Sequence, residues 1–276
     1  MTQILRCGRY EIPLERPHIM AIINVTPDSF SGDGLDGSVD AALRRAEQAL
    51  RDGATFLDIG GESTRPGAAP VSEQEELDRV IPVVEALTSL GAPVSVDTFK
   101  PAVMRASIAA GAAMVNDINA LRGDGAVEAV AASGAGVCLM HMQGEPRNMQ
   151  VAPHYEDVVA EVREFLLRRA ELLLSAGAPR ETIVLDPGFG FGKTLEHNAE
   201  LFRGLPKLCA LEYPVLVGVS RKTMLGQITG RAVEERQFAS TAAALMAADA
   251  GAAIIRVHDV AATRDALMVW RALRIN

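Results

Sequence analysis

Three polar residues with hydrogen-bonding side chains each follow a short apolar, β-branched run. Asp97, Asn116 and Asp186 come directly after such runs. Carboxylates and amides that face a pocket match a ligand edge with alternating donors and acceptors, as an aminopyrimidinone has. Each charge-assisted bond of this kind contributes roughly 1.5–3 kcal/mol. These residues are therefore candidates for binding a ring such as guanine or a pterin; the alternative is that Asp97 pairs structurally with a nearby Arg or Lys.

A cationic pair ends the last apolar run. Arg256 and His258 are two residues apart, so their side chains project to the same face of a strand. Arg is well shaped for a phosphate group. Asn24 ends the first run and offers an oxygen to Mg²⁺, which usually keeps water and substrate phosphates as ligands. We predict a phosphate site with Mg²⁺ here; the alternative is a surface Arg beside a neutral structural His.

Residues 187–194 form a glycine-rich segment that ends in Gly-Lys-Thr, like a phosphate-binding P-loop. The position that requires the first glycine holds Pro187, and the G-x-G-x-G spacing also differs from the dinucleotide-binding pattern. We therefore interpret the segment as a flexible loop whose Phe189 and Phe191 cover a flat substrate.

Two further segments, residues 25–34 and 60–67, follow apolar runs and are rich in Gly and Pro. Ordinary turn chemistry explains the glycines but not an exposed Phe30 or Arg65. Mobile loops that follow strands commonly carry function. We predict that both segments border the site.

The elements that position these residues repeat along the chain. Apolar runs lie at residues 18–25, 55–59, 93–96, 113–115, 136–140, 183–185, 214–219 and 253–257. Segments with helical spacing lie between them, at 39–51, 73–90, 101–110, 155–176 and 234–250. Such alternation forms a closed barrel or an open doubly wound sheet. Eight runs in 276 residues favour a (β/α)8 TIM barrel as one domain over residues 1–276, with the polar strand ends around one mouth. Residues 4–14 are predicted to form a short hairpin that closes the barrel floor.

Composition excludes several classes of partner. The net charge of −8 argues against a general nucleic-acid-binding surface. No apolar stretch reaches membrane-spanning length, and the first residues lack the apolar core of a signal peptide. The three cysteines are far apart and in no metal-binding pattern, as in a reducing compartment. We expect a cytoplasmic protein that binds neither nucleic acid nor membranes.

Eight motifs together closely resemble the dihydropteroate synthase family of the folate pathway. They are Asn-Val-Thr-Pro-Asp-Ser-Phe-Ser at 24–31, Asp-Ile-Gly-Gly-Glu-Ser-Thr-Arg-Pro-Gly at 58–67, Ser-Val-Asp-Thr at 95–98, Val-Asn-Asp-Ile at 115–118, Leu-Met-His-Met at 139–142, Leu-Asp-Pro-Gly-Phe-Gly-Phe-Gly-Lys at 185–193, Gly-Val-Ser-Arg-Lys at 218–222 and Ile-Arg-Val-His-Asp at 255–259. The first loop departs from the family, which usually has Phe-Ser-Asp-Gly-Gly, and this leaves open whether Asp33 or Asp36 acts when it closes.

The resemblance implies an enzyme that joins 6-hydroxymethyl-7,8-dihydropterin diphosphate to 4-aminobenzoate and releases pyrophosphate. It implies a homodimer and competition by sulfonamides with 4-aminobenzoate. The implied pterin-binding residues are Asp97, Asn116, Asp186 and Lys222. Those for the diphosphate and Mg²⁺ are Asn24, Arg256 and His258. The substrate-binding set also includes Thr64, Arg65, Pro66, Phe191, Gly218 and Ser220, and the first loop contributes Thr26, Asp28 and Phe30.

The chemistry agrees with these residue types. Loss of pyrophosphate from a methylene beside an electron-rich ring passes through a cation-like state, which requires charge stabilisation rather than a strong base. The predicted catalytic residues are Asp97, Lys222, Arg256 and His258. The open alternatives are a pterin-binding methyltransferase domain and a non-catalytic pterin-binding paralogue. His141 ends a run in a matching motif without an assigned role.

Overall fold

A computed structural model of the chain describes residues 3–25, 35–63, 69–146 and 148–274, with the side chains of residues 35–38 excepted. Eight parallel strands in these ranges form one sheet. In the strands Phe56–Gly60, Gly136–Met140 and Ile183–Asp186 every residue is buried. Strands covered on both faces require near-continuous apolar sequence, which is why the apolar runs located them.

The strands follow the predicted order along the chain. They are β1 (Ile4–Cys7), β2 (Tyr10–Pro13), β3 (His18–Asn24), β4 (Phe56–Gly60), β5 (Val94–Asp97), β6 (Met114–Asp117), β7 (Gly136–Met140), β8 (Ile183–Asp186), β9 (Leu216–Val217) and β10 (Ile254–Val257). The barrel order is β8-β7-β6-β5-β4-β3-β10-β9, and a parallel bridge between Leu185 and Val215 joins its two ends. β9 is shorter than the predicted 214–219. Pro214 accepts a bond from Leu185 N at 3.0 Å but has no N–H to extend the ladder. The predicted TIM barrel is confirmed.

The helices cover the outside of the barrel. They are α1 (Leu35–Arg51), α2 (Glu73–Thr88), α3 (Pro101–Ala109), α4 (Ala126–Val130), α5 (Val158–Ser175), α6 (Leu195–Arg203), α7 (Leu205–Cys209), α8 (Thr223–Thr229), α9 (Gln237–Asp249) and α10 (Val260–Leu273). Side-chain caps fix several helix starts: Ser72, Asp157 and Thr194 each accept a bond from a backbone N–H of the first turn. None of the described helices is long and apolar enough to cross a membrane.

The antiparallel hairpin of β1 and β2 closes one end of the barrel, as predicted. Leu5 and Cys7 are fully buried and pack in a cluster with Met20 and Phe56 from the barrel strands. His18 at the start of β3 fixes the hairpin, because its Nε2 lies 2.8 Å from Pro13 O. The other end of the barrel, where the strands terminate, is therefore the open mouth.

Candidate active site

The polar strand ends meet at the mouth in one hydrogen-bonded network. Arg256 on β10 donates through Nε to Asp58 Oδ2 on β4 at 2.6 Å, and through Nη2 to Asp97 Oδ2 on β5 at 2.8 Å. Asn116 on β6 donates through Nδ2 to Asp58 Oδ2 at 3.3 Å. Asp58 is fully buried. We call Asp58, Asp97, Asn116 and Arg256 the arginine network.

In this network Arg256 contacts Asp97, whereas the sequence predicted the two residues in separate parts of the site, one for the diphosphate and one for the pterin. In the barrel order β10 is next to β3, which is followed by β4 and then by β5. The long Arg256 side chain crosses the barrel interior past β3 and reaches both carboxylates. Asp97 is thus paired with an Arg, as the alternative considered for it describes, and its role toward the pterin stays a prediction. Binding of diphosphate by Arg256 stays a prediction.

Burial and charge set the protonation of the network. Burial raises the pKa of the Asp97 carboxyl to about 7; Arg256 opposes this rise, and the neighbouring Asp58 adds to it. Burial alone would lower the pKa of Arg256, but Asp58 and Asp97 raise it above its usual range, so the guanidinium stays charged. Asp58 Oδ1 and Asn116 Oδ1 are buried acceptors without a hydrogen-bond partner in the described part of the chain. A ligand with N–H donors would satisfy such atoms.

Asp186 and Lys222 form the second part of the site, against the glycine-rich loop. Asp186 Oδ1 accepts a bond from Gly188 N at 2.7 Å. Lys222 Nζ donates to Phe189 O and lies 4.6 Å from the ring centroid of Phe191. Burial lowers the pKa of Lys222 to about 8, opposed by Asp186, whereas burial raises the pKa of Asp186, opposed by Lys222. The site thus offers one strong acceptor and one cationic donor.

The two phenylalanines of the glycine-rich loop have different environments. Phe191 is half-buried and packs against the cluster of Ile118, Met140, Met142 and Met149. Phe189 is fully buried in the main core, with its ring centroid 5.4 Å from that of Phe202. The prediction that both rings cover a substrate is therefore wrong for Phe189, which is a core residue. Phe191 remains available for that role.

The ends of β9 and β10 are joined by Ser220 and His258. Ser220 Oγ lies 3.0 Å from His258 Nδ1 and accepts a bond from His258 N at 3.2 Å. The aminobenzoate side and the diphosphate side predicted from sequence therefore share an edge. Gly218 lies beside Arg256: a Cβ on it would be 3.8 Å from Arg256 Cβ and Cδ.

Arg221 holds the turn that separates Ser220 from Lys222. Its backbone is left-handed, with φ of 58°, a conformation that costs a non-glycine residue roughly 1–2 kcal/mol. Two bonds to Asp259, from Nη2 at 2.7 Å and from Nε at 3.2 Å, stabilise it. Arg221 N also donates to Ser240 Oγ at 2.9 Å. The middle residue of the Ser-Arg-Lys motif thus supports its neighbours rather than facing a ligand.

A half-buried lysine, Lys100, anchors the base of the second loop. Lys100 Nζ donates to Glu62 Oε2 at 2.6 Å, to Glu76 Oε2 at 2.5 Å and to Val71 O at 2.7 Å. Glu62 lies near the start of the loop and Val71 follows its end, so Lys100 joins the two ends. No pattern in the sequence predicts this role of Lys100, because only the three-dimensional contacts show that one cation satisfies three acceptors.

Several predicted residues lie outside the described part of the chain. These are Thr26, Asp28, Phe30 and Asp33 of the first loop and Thr64, Arg65 and Pro66 of the second, together with the side chain of Asp36. Asn24, the predicted Mg²⁺ ligand, is described: it is half-buried at the end of β3 and pairs in register with Gly60. Among the described residues no group of three or more His, Cys, Asp or Glu side chains could hold a metal ion.

Comparison with known proteins identifies the family. Residues 20–258 match the family described as pterin binding enzyme. A dihydropteroate synthase from Neisseria meningitidis serogroup C is 51% identical, over 99% of this chain and 98% of its own length. The chain belongs to the dihydropteroate synthase family. Its activity is accordingly that of a dihydropteroate synthase, rather than of the methyltransferase domain or the non-catalytic paralogue considered above.

Two solved dihydropteroate synthases share the fold. The Xanthomonas albilineans enzyme with 4-aminobenzoic acid is 52% identical, with a TM-score of 0.93 and coverage of 99% of this chain and 98% of that chain. The Burkholderia cenocepacia enzyme complexed with 7,8-dihydropteroate is 53% identical, with a TM-score of 0.91 and coverage of 99% and 97%. The family and the barrel are thereby both established for this chain.

Proposed function

We propose that the mouth of the barrel joins 6-hydroxymethyl-7,8-dihydropterin diphosphate to 4-aminobenzoate. The observation that carries this proposal is the arginine network, which brings two carboxylates, an amide and a guanidinium together and leaves two of its own buried acceptor oxygens without a partner in the described part of the chain. The relative that was solved with 7,8-dihydropteroate supports this pair of substrates. Formation of dihydropteroate by the purified chain, identified by mass spectrometry, tests it. Methyl transfer from methyltetrahydrofolate in place of that product would favour the methyltransferase alternative.

The pterin ring is bound by acceptors on one side and a cation on the other. The Asp186 carboxylate and the Asn116 amide match the N–H and C=O groups of an aminopyrimidinone edge. Lys222, already directed by Phe189 O, supplies a donor to the ring. Asp97 stabilises the positive charge that develops as the leaving group departs.

Arg256 can bind the diphosphate without leaving its carboxylates. A guanidinium has five N–H donors, and Arg256 uses one at Nε and one at Nη2. The remaining donors, with His258 held by Ser220, neutralise the leaving group. The C–O bond then breaks with its electron pair on pyrophosphate, the amine lone pair forms the C–N bond, and the nitrogen loses a proton to solvent. The neutral aryl amine needs no base before it attacks.

The aminobenzoate side is formed by Phe191 and Ser220 together with Thr64, Arg65 and Pro66, which lie outside the described residues. Phe191 offers an apolar face beside Lys222. The first-loop residues Thr26, Asp28 and Phe30 would exclude water, which competes with the amine for the cation.

The rate is expected to fall in acid as Asp97 takes up a proton. The pKa of Asp97 is raised to about 7, and its charged form stabilises the cation, so kcat/KM should decline tenfold per pH unit below about pH 7. Replacing Asp58 by Asn removes a neighbouring like charge and should move this decline to lower pH. The wild type and Asp58→Asn act on the same substrate, so ionisation of the substrate affects both pH profiles equally and cannot cause a difference between them. An unchanged profile in Asp58→Asn would rule out this origin of the decline.

Mg²⁺ is expected to bind with the substrate rather than as a resident ion. A Cβ on Gly60 would be 3.4 Å from Asn24 Oδ1, so the glycine leaves space beside this oxygen. A single neutral oxygen, Asn24 Oδ1, is a sufficient protein ligand for Mg²⁺, because this ion usually keeps water and substrate phosphates as its other ligands. The bound ion would supply positive charge to the diphosphate. By calorimetry, chelating Mg²⁺ should weaken pyrophosphate binding at least tenfold, and Asn24→Ala should reduce that difference. Equal affinity with and without Mg²⁺ would contradict the proposal.

A homodimer is proposed from an apolar surface on α8–α10. Phe238 and Met246 are 85% and 60% exposed and lie two turns apart on one face of α9. Ile228 on α8 and Leu273 on α10 are also exposed, and both helices pack against α9. Exposed apolar patches mark interfaces.

Light scattering should give a dimeric mass for the wild type and a monomeric mass for Phe238→Asp. Val151→Asp, an exposed site outside the patch, should stay dimeric. A monomeric wild type would contradict the proposal.

We further propose that residues 1–276 act as one domain in the cytoplasm. The three cysteines are free, which suits a reducing compartment. Cell fractionation tests the location.

A further inference from the structure

We propose that Lys193 and His141, buried together behind the site, are positioning residues that fix the glycine-rich loop and thereby orient Lys222 and Asp186 for pterin binding. The proposed function gives neither residue a role. His141 had none in the sequence, and Lys193 belongs to the Gly-Lys-Thr sequence that resembled a P-loop. The inference rests on pterin binding by Asp186 and Lys222 as proposed above.

Lys193 has a complete set of hydrogen-bond partners within the protein. Its Nζ lies 3.0 Å from His141 Nδ1 and donates to Gly188 O at 2.9 Å and to Phe191 O at 3.1 Å. Burial lowers the pKa of Lys193 well below its ordinary value, opposed by the nearby Asp186; in the protonated form its three N–H donors match these three acceptors. Lys193 is only 3% exposed. It therefore binds the loop that precedes it, whereas a P-loop lysine points to a phosphate.

The histidine is suited to accept a bond from this lysine. Burial and, after it, the charge of Lys193 lower the pKa of His141 to about 2, so the ring is neutral. Its Nδ1 is then the acceptor and Nε2 carries the hydrogen. The ring is fixed by Phe165, at 4.9 Å between centroids and nearly perpendicular. His141 thus presents a rigid acceptor at the end of β7.

The loop that Lys193 holds contacts both pterin-binding side chains. Gly188 donates its N–H to Asp186 at 2.7 Å, and its C=O accepts from Lys193. Phe189 O accepts from Lys222, and the Phe191 ring lies against the same ammonium. Lys193 binds the carbonyls of Gly188 and Phe191. These two residues flank Phe189 in the sequence, and Phe189 carries the carbonyl that Lys222 binds. A shift of Lys193 would therefore move the partners of Asp186 and Lys222 together.

Close backbone packing shows that the loop has little freedom to adjust. A Cβ on Gly188 would be 1.8 Å from His141 O, and one on Gly192 would be 2.4 Å from Gln143 O. Both glycines have positive φ, of 69° and 60°. The backbone of the glycine-rich loop thus packs directly against the backbone at 141–143, after β7. The contact between Lys193 and His141 joins the same two segments. The interpretation of a flexible loop is wrong for these residues, because they are packed and bonded.

The test measures pterin binding to folded protein by calorimetry with pterin alone. Lys193→Met keeps the length of the side chain but loses its donors, and should raise the pterin Kd about 10- to 100-fold. His141→Leu should act similarly, whereas His141→Gln, which keeps an acceptor, should recover most of the lost affinity. Tyr155→Phe is the matched control: it removes a bond to the same loop, donated to Gly192 O at 2.8 Å, but leaves the Gly188 and Phe191 carbonyls with their bonds to Lys193. Its Kd should stay within about threefold of the wild type.

The outcomes separate this inference from the proposed function. A wild type that does not bind pterin overturns the proposed function. A wild type that binds, with unchanged Kd in Lys193→Met and His141→Leu, overturns the inference alone, and lower melting temperatures in those variants would then assign the pair a merely structural role. The inference is also overturned if Tyr155→Phe loses as much pterin affinity as Lys193→Met. It is likewise overturned if His141→Gln loses as much as His141→Leu. If Lys193→Met does not fold, the two His141 variants decide the question.

Discussion

An Arg256→Met variant is expected to lose about 3–5 kcal/mol of unfolding free energy and about 10³-fold in kcat/KM. Arg256 is the cation that Asp58 and Asp97 share, at 2.6 and 2.8 Å. Methionine keeps the side-chain bulk but leaves two buried carboxylates facing each other, so one of them must take up a proton. The same substitution removes the donors proposed for the diphosphate. Denaturant titration and steady-state kinetics measure the two effects.

A double-mutant cycle assigns the stability loss to the ion pair. In Asp58→Asn/Arg256→Met one of the two carboxylates that lost their partner is replaced by a neutral amide, so part of the stability should return, although activity should not. Arg180→Met is the control, because its pair with Glu212 is 49% and 80% exposed and should contribute less than about 1 kcal/mol. A stability loss in Arg256→Met as small as that of Arg180→Met would show that the network does not contribute as proposed.

Asp186→Asn is expected to raise the Kd for pterin about 100-fold without unfolding the protein. The amide keeps an oxygen for Gly188 N, which Asp186 Oδ1 binds at 2.7 Å, but loses the negative charge that accepts bonds from the pterin edge. Weakening two charge-assisted bonds in this way should cost about 3 kcal/mol of pterin binding free energy, which corresponds to a roughly 100-fold higher Kd. Calorimetry with pterin alone measures the change separately from the diphosphate.

Asp117→Asn is the matched control for this substitution. Asp117 is also a buried aspartate at a strand end, but its oxygens accept bonds from Asn119 N and Leu121 N, both at 2.7 Å, within its own turn. Its replacement should lower stability and leave the pterin Kd within a few-fold of the wild type. If Asp117→Asn weakened pterin binding as much as Asp186→Asn, the assignment of Asp186 to the ring would fail.

The sequence predicted the barrel because its strands are buried on both faces. Continuous apolar runs therefore located the strands, and the polar residues that follow these runs located the mouth of the barrel. The seam of the barrel was less predictable: the run at 214–219 contains a strand of only two residues, Leu216–Val217. Its shortness depends on how β8 and β9 meet, which no local pattern encodes.

The partners within the site could not be predicted from the sequence. Whether Arg256 points to a phosphate site or to Asp58 and Asp97 depends on how far a long side chain reaches across the barrel. Asp58 appears in the sequence only as the first residue of the motif at 58–67, because its burial and its two partners are tertiary facts. In the glycine-rich loop, a segment without periodicity cannot show that Phe189 packs inward while Phe191 lies at the site.

Pyrophosphate release from 6-hydroxymethyl-7,8-dihydropterin diphosphate, measured with and without 4-aminobenzoate, tests the central claim most directly. With the amine, the wild-type chain should release one pyrophosphate for each dihydropteroate formed, and the Arg256→Met and Asp186→Asn variants should be much slower. Without the amine, release should be far slower. Release at the same rate without 4-aminobenzoate, or no release in its presence, would contradict the account.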